Sequence, residues 1–235
     1  MQDFRKVLAD PPKRYRPIPF WSWNDKLIVE KTRDQIKEMD RVGLGGYFMH
    51  ARGGLQTPYL GEEWMENIAV GITEAKERDM GAWAYDENGW PSGFGDERVT
   101  DLGEDYQQKT LRYQFGGNPD RQITRVSLED GQEMVFYYDV NRYYVDNLDP
   151  KVTKVFLEEI YEQYATRFNA DFGGAMPGFF TDEPQLSRNG IPWSNILPSE
   201  YQKTYQEDLL PILPELFLEI GNYQRTRYRF WILVQ

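Results

Sequence analysis

Four short runs constrain this chain more than anything else in it: Pro19-Phe20-Trp21-Ser22-Trp23-Asn24, Gly46-Tyr47-Phe48-Met49-His50-Ala51-Arg52, Ala82-Trp83-Ala84-Tyr85-Asp86-Glu87 and Gly178-Phe179-Phe180-Thr181-Asp182-Glu183. Each is a brief apolar or aromatic stretch that ends abruptly in groups able to hydrogen-bond or move protons. Near-continuous apolar runs are the mark of strands buried on both faces. Between the first three runs lie stripes with helical spacing. Ile28, Thr32, Ile36, Met39 and Val42 recur before Gly43, and Trp64, Ile68, Ile72 and Ala75 recur within 62–78. A β-α-β-α-β order with right-handed crossovers gives a parallel sheet. The sequence therefore predicts strands near 18–23, 46–49, 81–85 and 178–181.

The rhythm is interrupted between about 109 and 147. There the residues alternate and turn, with Asp130-Gly131 between two β-rich runs as a hairpin signal. We read this as a small antiparallel insertion within one domain, 1–235. The helical rhythm resumes at Asp149-Pro150, an N-cap followed by Pro at the first helical position, with Val152, Phe156, Ile160 and Tyr164 at four-residue spacing. A Pro-rich loop and helices near 199–209 and from 223 onward complete the chain. Residues up to about Arg16 read as an irregular arm, because Pro11, Pro12 and Pro17 suppress helix. The fold class expected is α/β: a partial (β/α)8 TIM-type barrel of about four βα units, too few to close eight strands. Open sheet edges and the apolar stretch Phe230-Trp231-Ile232-Leu233-Val234 predict a homodimer.

Charge and composition exclude several classes. Acidic residues outnumber basic ones, 38 to 27, for a net charge of −11; nucleic acid binding, which relies on Lys and Arg, is not expected. The absence of cysteine removes disulfide and thiol chemistry. No apolar run has membrane-spanning length and the first residues lack a signal-peptide core, so a cytoplasmic address is expected. Gly43-Leu44-Gly45-Gly46 follows a helix instead of opening one, which argues against a phosphate loop. One histidine cannot build a histidine-based metal site, and no metal or cofactor is indicated by the residues.

The strand ends carry the candidate chemistry. In barrels of alternating strands and helices, working residues collect where the strands end. Two of the four runs finish in Asp-Glu, and hydrolysis of glycosides uses paired carboxylates. Glu183, fixed between a strand and Pro184 and expected above Phe179 and Phe180, is the candidate general acid. Glu87 is the candidate base or second carboxylate, and Asp86 and Asp182 would orient them or bind hydroxyls. Trp90, in Asn88-Gly89-Trp90-Pro91-Ser92-Gly93, could pack on a sugar's C–H face. Trp21 and Trp23 would add an aromatic floor and Asn24 an amide, with at least one Trp turned to the core. His50 and Arg52 would bind substrate directly. Structural readings stand beside each: the acids as loop caps, Trp90 as core, and His50 as a satisfied structural group.

Taken together, Phe20-Trp21-Ser22-Trp23-Asn24, Phe48-Met49-His50-Ala51-Arg52-Gly53-Gly54-Leu55, Tyr85-Asp86-Glu87-Asn88-Gly89-Trp90-Pro91-Ser92-Gly93 and Phe180-Thr181-Asp182-Glu183-Pro184 resemble the catalytic-barrel region of glycoside hydrolase family 106-like proteins, the α-L-rhamnosidase group and its bacterial relatives. The resemblance runs from about Arg16 onward. It implies a (β/α)8-type barrel that cleaves glycosidic bonds with two carboxylates and inversion, an α-L-rhamnoside as substrate, and a bound calcium in some members. Relative to that group the chain is expected to carry about half of the strand–helix units. The alternative is a non-catalytic or vestigial carbohydrate-binding half-barrel that needs self-association.

Overall fold

The computed structural model describes residues 4–235; the first three residues of the predicted arm lie outside it. In chain order the elements are α1 (Phe4–Ala9), β1 (Phe20–Trp23), α2 (Val29–Arg41), β2 (Gly46–Ala51), α3 (Glu62–Arg78), β3 (Gly81–Asn88), β4 (Gln107–Phe115), β5 (Gln122–Ser127) and β6 (Glu133–Val145). They continue with α4 (Pro150–Phe156), a π-helical turn (Leu157–Tyr161), α5 (Glu162–Phe168), β7 (Phe179–Phe180), β8 (Ile191–Trp193), α6 (Leu197–Tyr205), α7 (Pro214–Phe217) and α8 (Tyr223–Val234). The architecture is mixed α/β with two sheets: β1-β2-β3-β7, all parallel, and β5-β6-β4-β8, antiparallel. The chain divides into two units, 1–96 with 156–184 and 97–155 with 185–235. Among the described residues no helix is long and apolar enough to cross a membrane.

The first unit holds the parallel sheet. Alternation along β2 sends Tyr47, Met49 and Ala51 toward the helices and Phe48 and His50 to the opposite face. On the helix side, Ile36 of α2 and Trp64, Ile68, Ile72 and Ala75 of α3 form a buried core with those strand residues. Each large side chain of this set that is fully removed from water, such as Ile36, Met49 and Ile68, contributes about 1.5–3 kcal/mol. Trp64 also donates its indole N–H to the Tyr164 hydroxyl at 3.0 Å. Helix and strand approach closely at Gly71: a Cβ there would lie 2.6 Å from Met49 Sδ, and the Tyr47 hydroxyl donates to the Gly71 carbonyl at 2.6 Å. The sheet is tightest at Gly46, where a Cβ would come within 2.3 Å of the Gly81 carbonyl oxygen.

The second unit carries the antiparallel sheet, its β5–β6 hairpin turning at Asp130-Gly131 as the sequence predicts. It differs from expectation at 191–193. The sequence reads as a Pro-rich loop, yet Ile191–Trp193 pairs with β4 as an edge strand. An edge position tolerates Pro192, because proline lacks only the N–H that an edge residue can leave unpaired. Leu111, Met134, Phe136, Trp193, Tyr201, Leu213 and Phe230 form this unit's core. Beside it Lys109 and Asp146, both buried, approach to 3.5 Å. The N-terminal arm also departs from expectation: α1 forms ahead of Pro11, since proline restricts the residues at and before itself and not a turn ending two positions earlier.

Candidate functional site

Parallel register puts the ends of β1, β2, β3 and β7 at one end of the first unit's sheet. The pairing of Ala84 with Phe179 and Tyr85 with Phe180 carries Asp86 and Thr181 to neighbouring positions. Asp86 is 1% exposed and accepts three hydroxyl donors: Ser92 at 2.6 Å, Tyr161 at 2.8 Å and Thr181 at 2.9 Å. Burial pushes its carboxyl above the usual carboxylate range, and the three hydroxyls oppose that rise. Ser92 then ties the two strand ends together. Its hydroxyl accepts the Asp182 amide at 2.8 Å, and its own amide donates to the Asp182 carbonyl at 2.8 Å. The two Asp-Glu pairs predicted from sequence thus end on adjacent, hydrogen-bonded strand ends.

Glu87 is fully buried, 0% exposed. One carboxylate oxygen accepts the amide of Gly93, and the other accepts that of Gly95 at 2.7 Å. Removal from water pushes its pKa up to about 8; the loop amides pull against that, and the charge of Asp86 adds to it. In this arrangement Glu87 holds the 93–95 loop. Glu183 contrasts with it. It is exposed, its backbone is left-handed at φ 49°, and its carboxylate has no partner among the described residues. The sequence put Glu183 in an apolar setting above two phenylalanines. The structure instead turns Phe179 toward Tyr161 and Tyr164, and Phe180 to the opposite face beside Phe20 and Phe48.

The face of the sheet away from the helices is aromatic. Phe20, Phe48, Phe180 and Tyr85 stand there, and His50 lies 3.9 Å from the Tyr85 ring centroid and 5.3 Å from that of Phe20. His50 is 2% exposed; burial, with the Arg52 cation nearby, lowers its pKa to about 4. Its Nδ1 is buried with no partner among the described residues. A proton there would bury an unpaired donor, so we assign the neutral ring's proton to Nε2.

Trp21 and Trp23 do not join this face. Being two apart on one strand they share the helix side, where Trp23 packs on Trp64 and Trp21 on Tyr47. With Asn24 they line a cavity of about 180 Å³ behind β1. Phe20 and Ser22 take the positions expected for the tryptophans. Trp90 is 52% exposed on the 89–95 loop, and Asp182 is half-buried. Sequence reasoning did not single out Ser92, Thr181 or Tyr161 as site residues. The first two stand inside the quoted motifs, as hydroxyls flanking the acids; Tyr161 had no signal, being one aromatic among several on a helix. The calcium implied by resemblance finds no fitting donor set: Asp86 and Glu87 spend their oxygens on hydroxyl and amide donors, and no cluster of three or more metal-binding side chains occurs among the described residues.

No family model matches the chain, and no curated protein matches it. A solved structure of a rhamnosidase from Novosphingobium sp. PP1Y is similar at 23% identity over 53% of this chain, with a TM-score of 0.39. This chain spans only 12% of that protein's length, and the likeness is weak.

Proposed function

We propose that this chain carries a glycoside-binding and hydrolysing site at the carboxyl ends of β1, β2, β3 and β7, within an arc of a (β/α)8-type barrel. The observation that carries the reading is the Asp86–Ser92–Asp182 tie. It spends three hydroxyls and two backbone bonds on fixing the segment from which Glu183 projects with a free carboxylate. Glu183 acts as general acid. Glu87 is the second carboxylate, available to a sugar once the bonds from Gly93 and Gly95 open; His50 and Arg52 bind hydroxyls or other acceptors, and Trp90 packs on the ring. An α-L-rhamnoside is the substrate that the family resemblance supports.

The test is Glu183→Gln assayed on a panel of aryl glycosides. Loss of the proton donor should lower turnover about 10²–10⁴-fold while binding changes little, and substrates with good leaving groups should recover part of the rate. An unchanged rate removes Glu183 from the chemistry. A second reading, binding without hydrolysis, is favoured by one observation: Glu87 is wholly buried and committed to the loop. Sugar binding by a wild-type chain that cleaves no member of the panel would establish it.

A further inference from the structure

Among the described residues, the partly buried arginines are, with one exception, tied to acceptors. Arg33 and Arg78 pair with Glu74, Arg112 with Asp139 and Arg229 with Glu207; Arg227 donates to two backbone carbonyls. The exception is Arg52. Its backbone amide donates to the Trp23 carbonyl at 3.1 Å, extending the β1–β2 pairing by one residue. The residue is partly buried, and its guanidinium has no hydrogen bond, ion pair or ring contact among the described residues. A guanidinium carries five donors and no acceptor, and an unpaired one at a strand end is free to receive an oxyanion. In a chain with 38 acidic residues, a carboxylate partner for it would be easy to supply, and none is.

The neighbours of Arg52 point the same way. Arg52 follows directly on β2, and its charge reaches His50, whose pKa it helps to lower; Ser22, exposed, is the register partner of His50. With its proton on Nε2, His50 offers a donor; so does the guanidinium, and Ser22 adds a hydroxyl. None of these three donors has an acceptor among the described residues. We infer that Arg52, with His50 and Ser22, recognises a single oxyanion on the sugar ligand, the carboxylate of a uronic acid or a sulfate ester. A guanidinium fork matches both groups. One charge, not a polyanion, is the fit: the net charge of −11 repels a long anionic chain, whereas a group in contact with Arg52 lies inside the screening length of about 8 Å.

The inference rests on the sugar-site reading above, and its test separates the two. Binding would be measured by calorimetry or ligand-observed NMR on matched 4-nitrophenyl glycosides in the gluco, galacto and rhamno series. In the first two series each sugar would be compared as neutral glycoside, uronide and 6-sulfate. A uronide or a sulfate should bind about 10–100-fold tighter than its neutral partner, and whichever does so identifies the oxyanion. Arg52→Gln should abolish the preference, Arg52→Lys should keep part of it, and Arg41→Gln, an equal change of charge on the exposed side of α2, should leave it intact. Thermal melting of each variant controls for folding. No preference for the charged sugars, whether all bind alike or none binds, overturns the inference, as does a preference that survives Arg52→Gln. Hydrolysis of glycosides with no tighter binding of the charged sugars would sink this inference and leave the hydrolase reading standing; tighter binding of charged sugars by a chain that cleaves no member of the panel would do the reverse.

Discussion

Glu87→Gln should change how stability depends on pH, independently of any activity. Glu87 is fully buried, and burial raises its pKa from 4.5 to about 8. Between those values the folded protein holds a proton that the unfolded chain has released. Stability therefore falls as pH rises through that window, by about 1.4 kcal/mol per pH unit. Over the whole window the loss is on the order of 5 kcal/mol, against the roughly 5–15 kcal/mol that stabilises an ordinary domain. Glutamine cannot ionise, so this slope disappears. Its amide nitrogen must, however, oppose one of the two N–H groups, of Gly93 or Gly95, that now meet carboxylate oxygens. That mismatch costs about 1–3 kcal/mol at every pH. The variant should be the less stable protein at pH 5 and should draw level with or pass the wild type by pH 8.5. Urea melts at half-unit pH steps would show this, and the difference between the two curves cancels the other titrating groups. Parallel curves from pH 5 to 8.5 would mean that Glu87 stays ionised and the loop amides outweigh its burial, refuting the argument.

His50, with its pKa lowered to about 4 by burial and by Arg52, should show no imidazole titration by NMR between pH 5 and 8. Its contribution to stability is present above about pH 6.5 and is lost as pH falls toward 4; in Arg52→Gln its pKa should rise but stay below 6.5, because burial is the larger cause. Gly46→Ala should destabilise by about 1–3 kcal/mol or more and by more than Gly71→Ala, because the first meets the rigid Gly81 carbonyl and the second the flexible Met49 thioether. Equal costs in thermal melts would contradict that ranking. The unpaired edges of β1 and β7 and the exposed Tyr228, Trp231 and Ile232 of α8 support self-association. Sedimentation should therefore find a dimer at micromolar concentration, and a monomer there would remove the proposal.

Much of the parallel sheet was legible because its signals are local. The 62–78 stripe and the observed Glu62–Arg78 helix coincide, since a helix buried along one face must repeat its apolar residues every three to four positions. The runs before Asp86 and Asp182 read as strands for the same kind of reason. What escaped is set by partners distant in sequence. Nothing near Ile191 announces that β4 has a free edge, and nothing near Tyr161 announces Asp86, 75 residues earlier. Trp21 and Trp23 show a different failure. Period-two alternation fixes that they share a face, but not which face, and that is decided by Trp64 lying behind the sheet. For Asp86 and Glu87 the sequence indicated a position at a strand end and not an exposure: whether a carboxylate meets solvent or a loop's amides depends on how the loop closes.

The π-helical turn at Leu157–Tyr161 has a consequence for how this chain tolerates change. A wide turn accommodates a residue that an α-helix would have to place about 100° further round its axis. Here that residue includes Tyr161, whose hydroxyl reaches Asp86 and whose ring lies 4.3 Å from Phe179. Deleting one residue from the turn would let the segment 150–168 run on as a uniform helix, a gain by every local measure of helix quality. It would also swing the tyrosine away from Asp86 and leave that carboxylate short of a donor. Helix regularity and the strand-end network therefore make opposite demands on this segment, and the wide turn meets the second at the expense of the first.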